Sequence, residues 1–255
     1  MDNMFDLTGK VAMVTGGNGG IGKGISIGLA RAGATVAVAA CDEPKTAAAV
    51  SEIAALGVRS VGFKCDVSDR KSVALTVEAI VSELGGLDIL VNNAGITIRS
   101  DGPEDLSPDA WEAVIGVNLT GVYNCSTLAY PEMVNRGGGK IINIGSMMSI
   151  FGSGYASAYS ASKGGVVQYT KSCAVGWAQD NIQVNAILPG WITTDMTRGF
   201  LERFPDRYDT ITNRTPAGRW GQTHELAGTA VFLAARASDF VTGTSIAVDG
   251  GYSAW

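Results

Sequence analysis

Thr15-Gly16-Gly17-Asn18-Gly19-Gly20-Ile21-Gly22 is the stretch that decides the fold. Five of the seven residues from 16 to 22 are glycine, more than a tight turn needs. The loop joins a short apolar run, Val11–Thr15, to an amphipathic one, Ile21–Ala32. A strand that feeds a helix through such a loop lets main-chain N–H groups approach a phosphate, with the positive end of the helix dipole behind them. A glycine-rich loop alone is a weak signal and is compatible with a plain turn. Its place between the first strand and the first helix strengthens the phosphate reading.

Outward from this loop, short apolar runs alternate with longer amphipathic ones. Strands are predicted at Val11–Thr15, Thr35–Ala40, Arg59–Cys65, Leu87–Asn92, Lys140–Ile144, Gln183–Ile187 and Thr244–Val248. Helices are predicted at Ile21–Ala32, Lys45–Leu56, Arg70–Leu84, Trp111–Arg136, Ala156–Gln179 and Glu225–Ala235. Solidly apolar strands alternating with helices imply an α/β fold with a parallel sheet covered on both faces. The expectation is a single doubly wound Rossmann domain over residues 1–255, with a mostly parallel seven-stranded sheet. Residues 193–218 break the rhythm. They are polar and aromatic, contain Pro205 and Pro216, and show no clear strand. Such an insertion is either a surface excursion or a lid; its place after a strand end favours a substrate lid.

Composition narrows the function. The 255 residues are 46% hydrophobic and 17% charged, which suits a large core, and the net charge of −5 argues against nucleic acid as a partner. Cys41, Cys65, Cys125 and Cys173 form no CxxC pair, and His224 is the single histidine. No metal is therefore expected, and free thiols suit a reducing, cytoplasmic setting. Met1–Asp6 lacks a signal-peptide pattern, and no run of 18 apolar residues predicts a membrane span. The expected partner is a small molecule.

Rossmann proteins often place an acid after the second strand to hold the adenosine ribose. Here that strand ends Ala40-Cys41-Asp42. Asp42 either meets the ribose or caps the next helix. No Arg or Lys lies at this point or in the glycine loop. A 2′-phosphate would lack a counter-charge unless Lys45 or Lys23 turns inward, so NAD is expected, with NADP possible.

Tyr159 and Lys163 are four residues apart, on one face of a predicted helix. A nearby ammonium favours tyrosinate and suits the phenol to acid–base work. A lone YxxxK pair is common on helix surfaces, but the surroundings are more specific. Ser146 lies 13 residues earlier, just after a strand, and Asn118 sits in a long helix upstream. Asn92-Asn93-Ala94-Gly95 ends one strand, and Pro189-Gly190 ends another.

In these motifs, and in Val248-Asp249-Gly250-Gly251, the chain resembles the classical short-chain dehydrogenase/reductase family over nearly its whole length. The resemblance implies a nicotinamide-dependent hydride transfer at a secondary alcohol or ketone. It implies that Tyr159 is the acid/base, that Ser146 bonds the reacting oxygen, that Lys163 holds the ribose and lowers the Tyr159 pKa, and that Asn118 holds a relay water. The implied cofactor lining comprises Gly16, Asn18, Gly20, Ile21, Gly22, Asp42, Asp66, Val67, Asn93, Ala94, Gly95, Tyr159, Lys163, Pro189, Gly190, Ile192 and Thr194. A homotetramer is implied as well.

Ser146-Met147-Met148-Ser149, Pro216–Gly221, Glu43-Pro44 and Arg99 resemble the sugar-acid subgroup, that of 2-deoxy-D-gluconate 3-dehydrogenase and gluconate 5-dehydrogenase. Arg99, Met148 and Trp191 are the candidate substrate residues. Arg99 suits a carboxylate clamp, or it is a solvated loop arginine. A polyol or cyclic alcohol dehydrogenase, a 3-oxoacyl thioester reductase (acyl carrier protein type) and a non-catalytic dinucleotide sensor are the alternatives.

Overall fold

The computed structural model describes residues 3–255; Met1 and Asp2, part of the N-terminal stretch read above, lie outside the described residues. Strands β1 (Val11–Thr15), β4 (Ile89–Asn92) and β6 (Ile182–Pro189) are buried at every position. Burial on both faces needs cover from both sides, and a parallel sheet with crossover helices supplies it. With β2 (Thr35–Ala40), β3 (Ser60–Lys64), β5 (Gly139–Ile144) and β7 (Ser245–Val248), they form a seven-stranded sheet in the order β3-β2-β1-β4-β5-β6-β7. Every pairing is parallel.

Alternation along the strands sorts the core into two layers. Ala12, Val14, Val36 and Val38 face one way, onto Ile25 and Leu29 of helix α1 (Gly20–Arg31) and onto Ala230 and Leu233. Met13, Ala37 and Leu90 face the other way, onto Val77 and Ile80 of α3 (Arg70–Leu84) and onto Cys125, Met133 and Cys173. Helix α2 (Glu43–Ala54) follows β2, capped by the Asp42 carboxylate, which accepts the Lys45 N–H at 2.9 Å. The strand order reverses between β1 and β4, and the carboxyl ends of strands at such a point leave a crevice. The loop after β4 is stitched to the glycine loop there. Asn93 N–H donates to Thr15 Oγ1 at 2.9 Å, and Asn93 Nδ2 donates to the Thr15 carbonyl at 2.9 Å.

Two segments differ from the expectation. The helix expected over Trp111–Arg136 is two helices, α4 (Pro108–Ile115) and α5 (Gly121–Asn135), joined by a wide π turn at Gly116–Thr120. One extra residue per turn shifts the register and carries Asn118 to full burial. Residues 193–218 are not irregular. They hold α7 (Asp195–Arg203) and α8 (Arg207–Arg214), with Pro205 between them. Phe200, Ile211 and Trp220 form a small cluster there, packed on Tyr155 and Trp191. Helices α6 (Ser157–Trp177) and α9 (Ala227–Ala234) complete the layers. No helix of the described residues is long and apolar enough to cross a membrane.

Candidate active site

The carboxyl ends of β1, β4, β5 and β6 enclose a cavity of about 360 Å³. Gly16, Asn18, Gly20 and Ile21 line one end, and Asn93, Ala94 and Gly95 the floor. Pro189, Gly190, Ile192 and Thr194 line the facing wall, and Tyr159 and Lys163 the deep end. The backbone has to be bare here. Gly16 has φ +61, and a Cβ on it would come within 3.2 Å of Ala94 Cα. A Cβ on Gly22 would lie 2.4 Å from the Gly16 carbonyl, so Gly22 sits beneath the loop rather than in the cavity wall. This cradle, at the N-terminus of α1, fits a pyrophosphate.

Other expected cofactor residues are not brought to the wall. Asp42 is exposed and its carboxylate holds the α2 cap. Asp66 accepts from Ser68 N and Oγ at 2.9 and 2.7 Å, and the Val67 carbonyl accepts from Asn124 Nδ2 at 3.0 Å. All three lie beyond the ends of β2 and β3. In their place the wall includes Lys45, which the sequence offered as a counter-charge if it turned inward, and Gly19, Gly145, Asp195, Met196 and Thr197, which sequence reasoning missed. Lys45 does turn inward. Its ammonium lies 2.8 Å from where a Gly19 Cβ would stand, and it pairs with Asp195 at 3.5 Å. Lys23 turns the other way, to Glu52. The space that glycine leaves at position 19 is what decides between Lys45 and Lys23, and it has no meaning until the helix is in place.

The four expected catalytic residues sit around the deep end. Tyr159 and Lys163 share a face of α6, with the ammonium 5.7 Å from the phenol ring centre. Lys163 is buried and Tyr159 partly buried, and burial acts on them in opposite directions. The Lys163 pKa is pushed down to about 8 by burial. The Tyr159 pKa is raised by burial, while its hydrogen bond with Ser146 and the charge of Arg99 pull it down. The net direction is upward, so the lowering expected from Lys163 is not seen; only Ser146 and Arg99 act downward. The Lys163 ammonium itself donates to the Ile144 carbonyl at 2.6 Å. Ser146 caps the turn after β5, its Oγ accepting from Met148 N–H at 3.1 Å. Asn118 stands one layer back. Its amide clasps Ile96 N–H at 2.8 Å and the Ile96 carbonyl at 2.9 Å, and donates to Ser162 Oγ at 3.1 Å.

A second cavity meets the first at Ser146 and Tyr159. Arg99, Met148 and Trp191, the three candidate substrate residues, all line it. Thr97, Ser153, Tyr155 and Thr197 add hydroxyl groups, and Phe200 of α7 closes one side. Arg99 is the one charged side chain in that lining among the described residues, its guanidinium 5.2 Å from the centre of the Phe200 ring. The Trp191 indole N–H is buried with no hydrogen-bond partner.

A tyrosine held between a bare phosphate cradle and a separate polar cavity is the arrangement of a hydride-transferring oxidoreductase, and the comparisons agree. A family model described as enoyl-(acyl carrier protein) reductase matches residues 16–253. The chain is 44% identical to 2-dehydro-3-deoxy-D-gluconate 5-dehydrogenase of Dickeya dadantii (strain 3937), over 99% of this chain and 98% of that one. It is 39% identical to gluconate 5-dehydrogenase of Gluconobacter oxydans (strain 621H), over 98% and 96%. Among solved structures, a gluconate 5-dehydrogenase from Burkholderia cenocepacia J2315 in complex with NADP and tartrate superposes with a TM-score of 0.94, at 39% identity over 99% and 98%. The chain belongs to the short-chain dehydrogenase/reductase family. It is an oxidoreductase acting on CH–OH groups and their ketones.

Proposed function

We propose that this protein interconverts a secondary alcohol and a ketone of a sugar acid, using NAD(H) or NADP(H). The observation that carries the reading is the second cavity. It joins the Tyr159 phenol to a single guanidinium through a lining of hydroxyl groups, with no carboxylate among the described residues. That chemistry suits a substrate with an anionic end and hydroxyls along its length. Similarity to sugar-acid enzymes over nearly the whole chain supports this over a thioester reductase, and a Tyr–Ser pair shared by the two cavities is unneeded in a sensor.

The nicotinamide, when bound, supplies or accepts the hydride. In oxidation, ionised Tyr159 takes the hydroxyl proton; in reduction, neutral Tyr159 gives a proton to the carbonyl oxygen. Ser146 donates to that oxygen as its charge changes. With its Oγ already accepting from Met148 N–H, the Ser146 proton is available to the substrate. Lys163 places a cation beside the ribose position, and Asn118 fixes the loop that floors the cavity. Gly16, Asn18, Gly20 and Ile21 hold the pyrophosphate, with Gly22 giving the loop its room. Asn93, Ala94, Gly95, Pro189, Gly190, Ile192 and Thr194 line the rest of the cofactor. Asp66 and Val67 flank the adenine end. Lys45, turned inward, supplies the counter-charge a 2′-phosphate needs, which supports use of NADP(H) alongside NAD(H). Arg99 holds the substrate carboxylate, and Met148 and Trp191 shape the pocket. Residues 193–218 act as a lid, since Phe200 reaches the substrate cavity and Asp195–Thr197 reach the cofactor cavity.

Exposed Tyr123 on α5, Val175 on α6 and Phe240 are surfaces suited to a homotetramer, and four free thiols suit a cytoplasmic setting. A panel of sugar acids, neutral polyols and β-ketoesters, run with both cofactors, tests the assignment. Turnover confined to sugar acids is expected; preference for a β-ketoester would overturn it.

A further inference from the structure

Ser149 ends the single tight turn, Met147–Ser149, that carries Ser146 past the end of β5. Its hydroxyl accepts the Ser146 main-chain N–H at 3.2 Å and donates to the Lys163 main-chain carbonyl at 2.8 Å. The Lys163 ammonium returns to the same segment, at the Ile144 carbonyl. Residue 163 is therefore tied to the Ser146 segment twice: through its side chain to residue 144, and through its carbonyl and Ser149 to residue 146. The residue before Ser146 is held to β6, Gly145 N–H donating to the Ile187 carbonyl at 2.8 Å, and the other bonds of the turn are local. Ser149 N–H donates to the Ser146 carbonyl at 2.9 Å, and Ile150 N–H to the Met147 carbonyl at 3.0 Å. They shape the turn without fixing its place against α6, the helix that carries Tyr159. The neighbouring backbone is bare at this point: a Cβ on Gly145 would stand 3.0 Å from Ser149 Oγ and 2.4 Å from Leu188 Cδ2.

We infer that Ser149 is a positioning residue for proton transfer: its hydroxyl sets the Ser146 side chain against the Tyr159 phenol by bolting the β5 turn to α6. Ser149 touches neither substrate nor cofactor in this account; it acts through Ser146. The inference rests on the dehydrogenase reading of Tyr159. Without the bolt, Ser146 drifts relative to the phenol, and its hydrogen bond, which helps hold the phenol pKa down, weakens. A hydroxyl that only capped the turn would affect stability and leave the phenol alone.

The test is a double-mutant cycle of Ser149→Ala and Ser146→Ala in the full chain, on a sugar acid that the wild type oxidises. Misplacement by about 1 Å can cost on the order of a hundredfold in rate. Ser149→Ala is therefore expected to lower kcat by roughly ten- to a hundredfold, with cofactor Kd from fluorescence titration unchanged. The ascending limb of the pH–rate profile should move to higher pH. In the Ser146→Ala background the same change should add little, because coupled residues do not contribute independently. An equal loss in both backgrounds, or a lowered melting temperature with kcat intact, would overturn the inference. Should the wild type turn over no acid, the functional reading fails. Ultraviolet difference titration of the Tyr159 phenol then decides the positioning role, with a pKa raised further by Ser149→Ala supporting it and an unmoved one refuting it.

Discussion

Replacing Arg99 with alanine separates recognition of the substrate from chemistry on it. Arg99 enters the second cavity from the loop after β4, over the Phe200 ring, and its charge reaches Tyr159. It is the single cation of that lining among the described residues. For an acidic substrate the change removes a charge-assisted hydrogen bond, worth roughly 1.5–3 kcal/mol, so KM should rise on the order of ten- to a hundredfold. A neutral polyol has no carboxylate to lose, and its KM should hold. The second effect is common to both substrates. Arg99 lowers the Tyr159 pKa, so its removal raises that pKa. Alcohol oxidation needs the phenolate, so the ascending limb of its pH–rate profile moves to higher pH. Arg99→Lys keeps the charge and loses the planar fork, and should fall between wild type and alanine for the acid. Steady-state kinetics on one acid and one neutral alcohol, across pH, read both effects. A KM increase of the same size for both substrates, or none for either, refutes the clamp.

Lys45→Ala should weaken NADPH binding more than NADH binding in fluorescence titrations, because the ammonium lies over the bare Gly19; equal losses would place Lys45 on the pyrophosphate instead. Asp42→Ala should lower stability by about 0.5–2 kcal/mol through loss of the α2 cap, with cofactor Kd little changed; a large Kd change with stability intact would restore a ribose role. Lys163 has a folded pKa of about 8, below its ordinary 10.5, so between those values the unfolded chain binds more protons and stability rises with pH. Lys163→Met should flatten that rise in denaturant titrations across the window, and a parallel pH dependence in the two proteins would argue against a depressed Lys163.

The centre of the sheet was legible because its strands are buried on both faces and so read as unbroken apolar runs, such as Val11–Thr15 and Ile89–Asn92. The loop at 15–22 and the Ser146, Tyr159 and Lys163 spacing were legible because each lies on one element or next to one. The π turn was not: Gly116–Thr120 is rich in weak helix formers, but that composition does not specify an extra residue in the turn. The helices α7 and α8 were hidden by mostly polar sequence and Pro205, since their order rests on a few contacts at Phe200, Ile211 and Trp220. The direction of Lys45 and the role of Ser149 escaped because both act across the fold, one over a glycine 26 residues away and the other onto a carbonyl 14 residues away. Asp42 had two readings of equal standing in the sequence. In the structure its carboxylate takes the cap.

Tyr159→Phe is the most direct test of the account, since it deletes the proton-transfer oxygen and little else. The variant should keep its cofactor Kd and its melting temperature. Its kcat on a sugar acid should fall by about 10²–10⁴-fold in both directions of reaction. Activity within a few-fold of the wild type, with the same pH profile, would contradict the central claim that the Tyr159 phenol moves the proton.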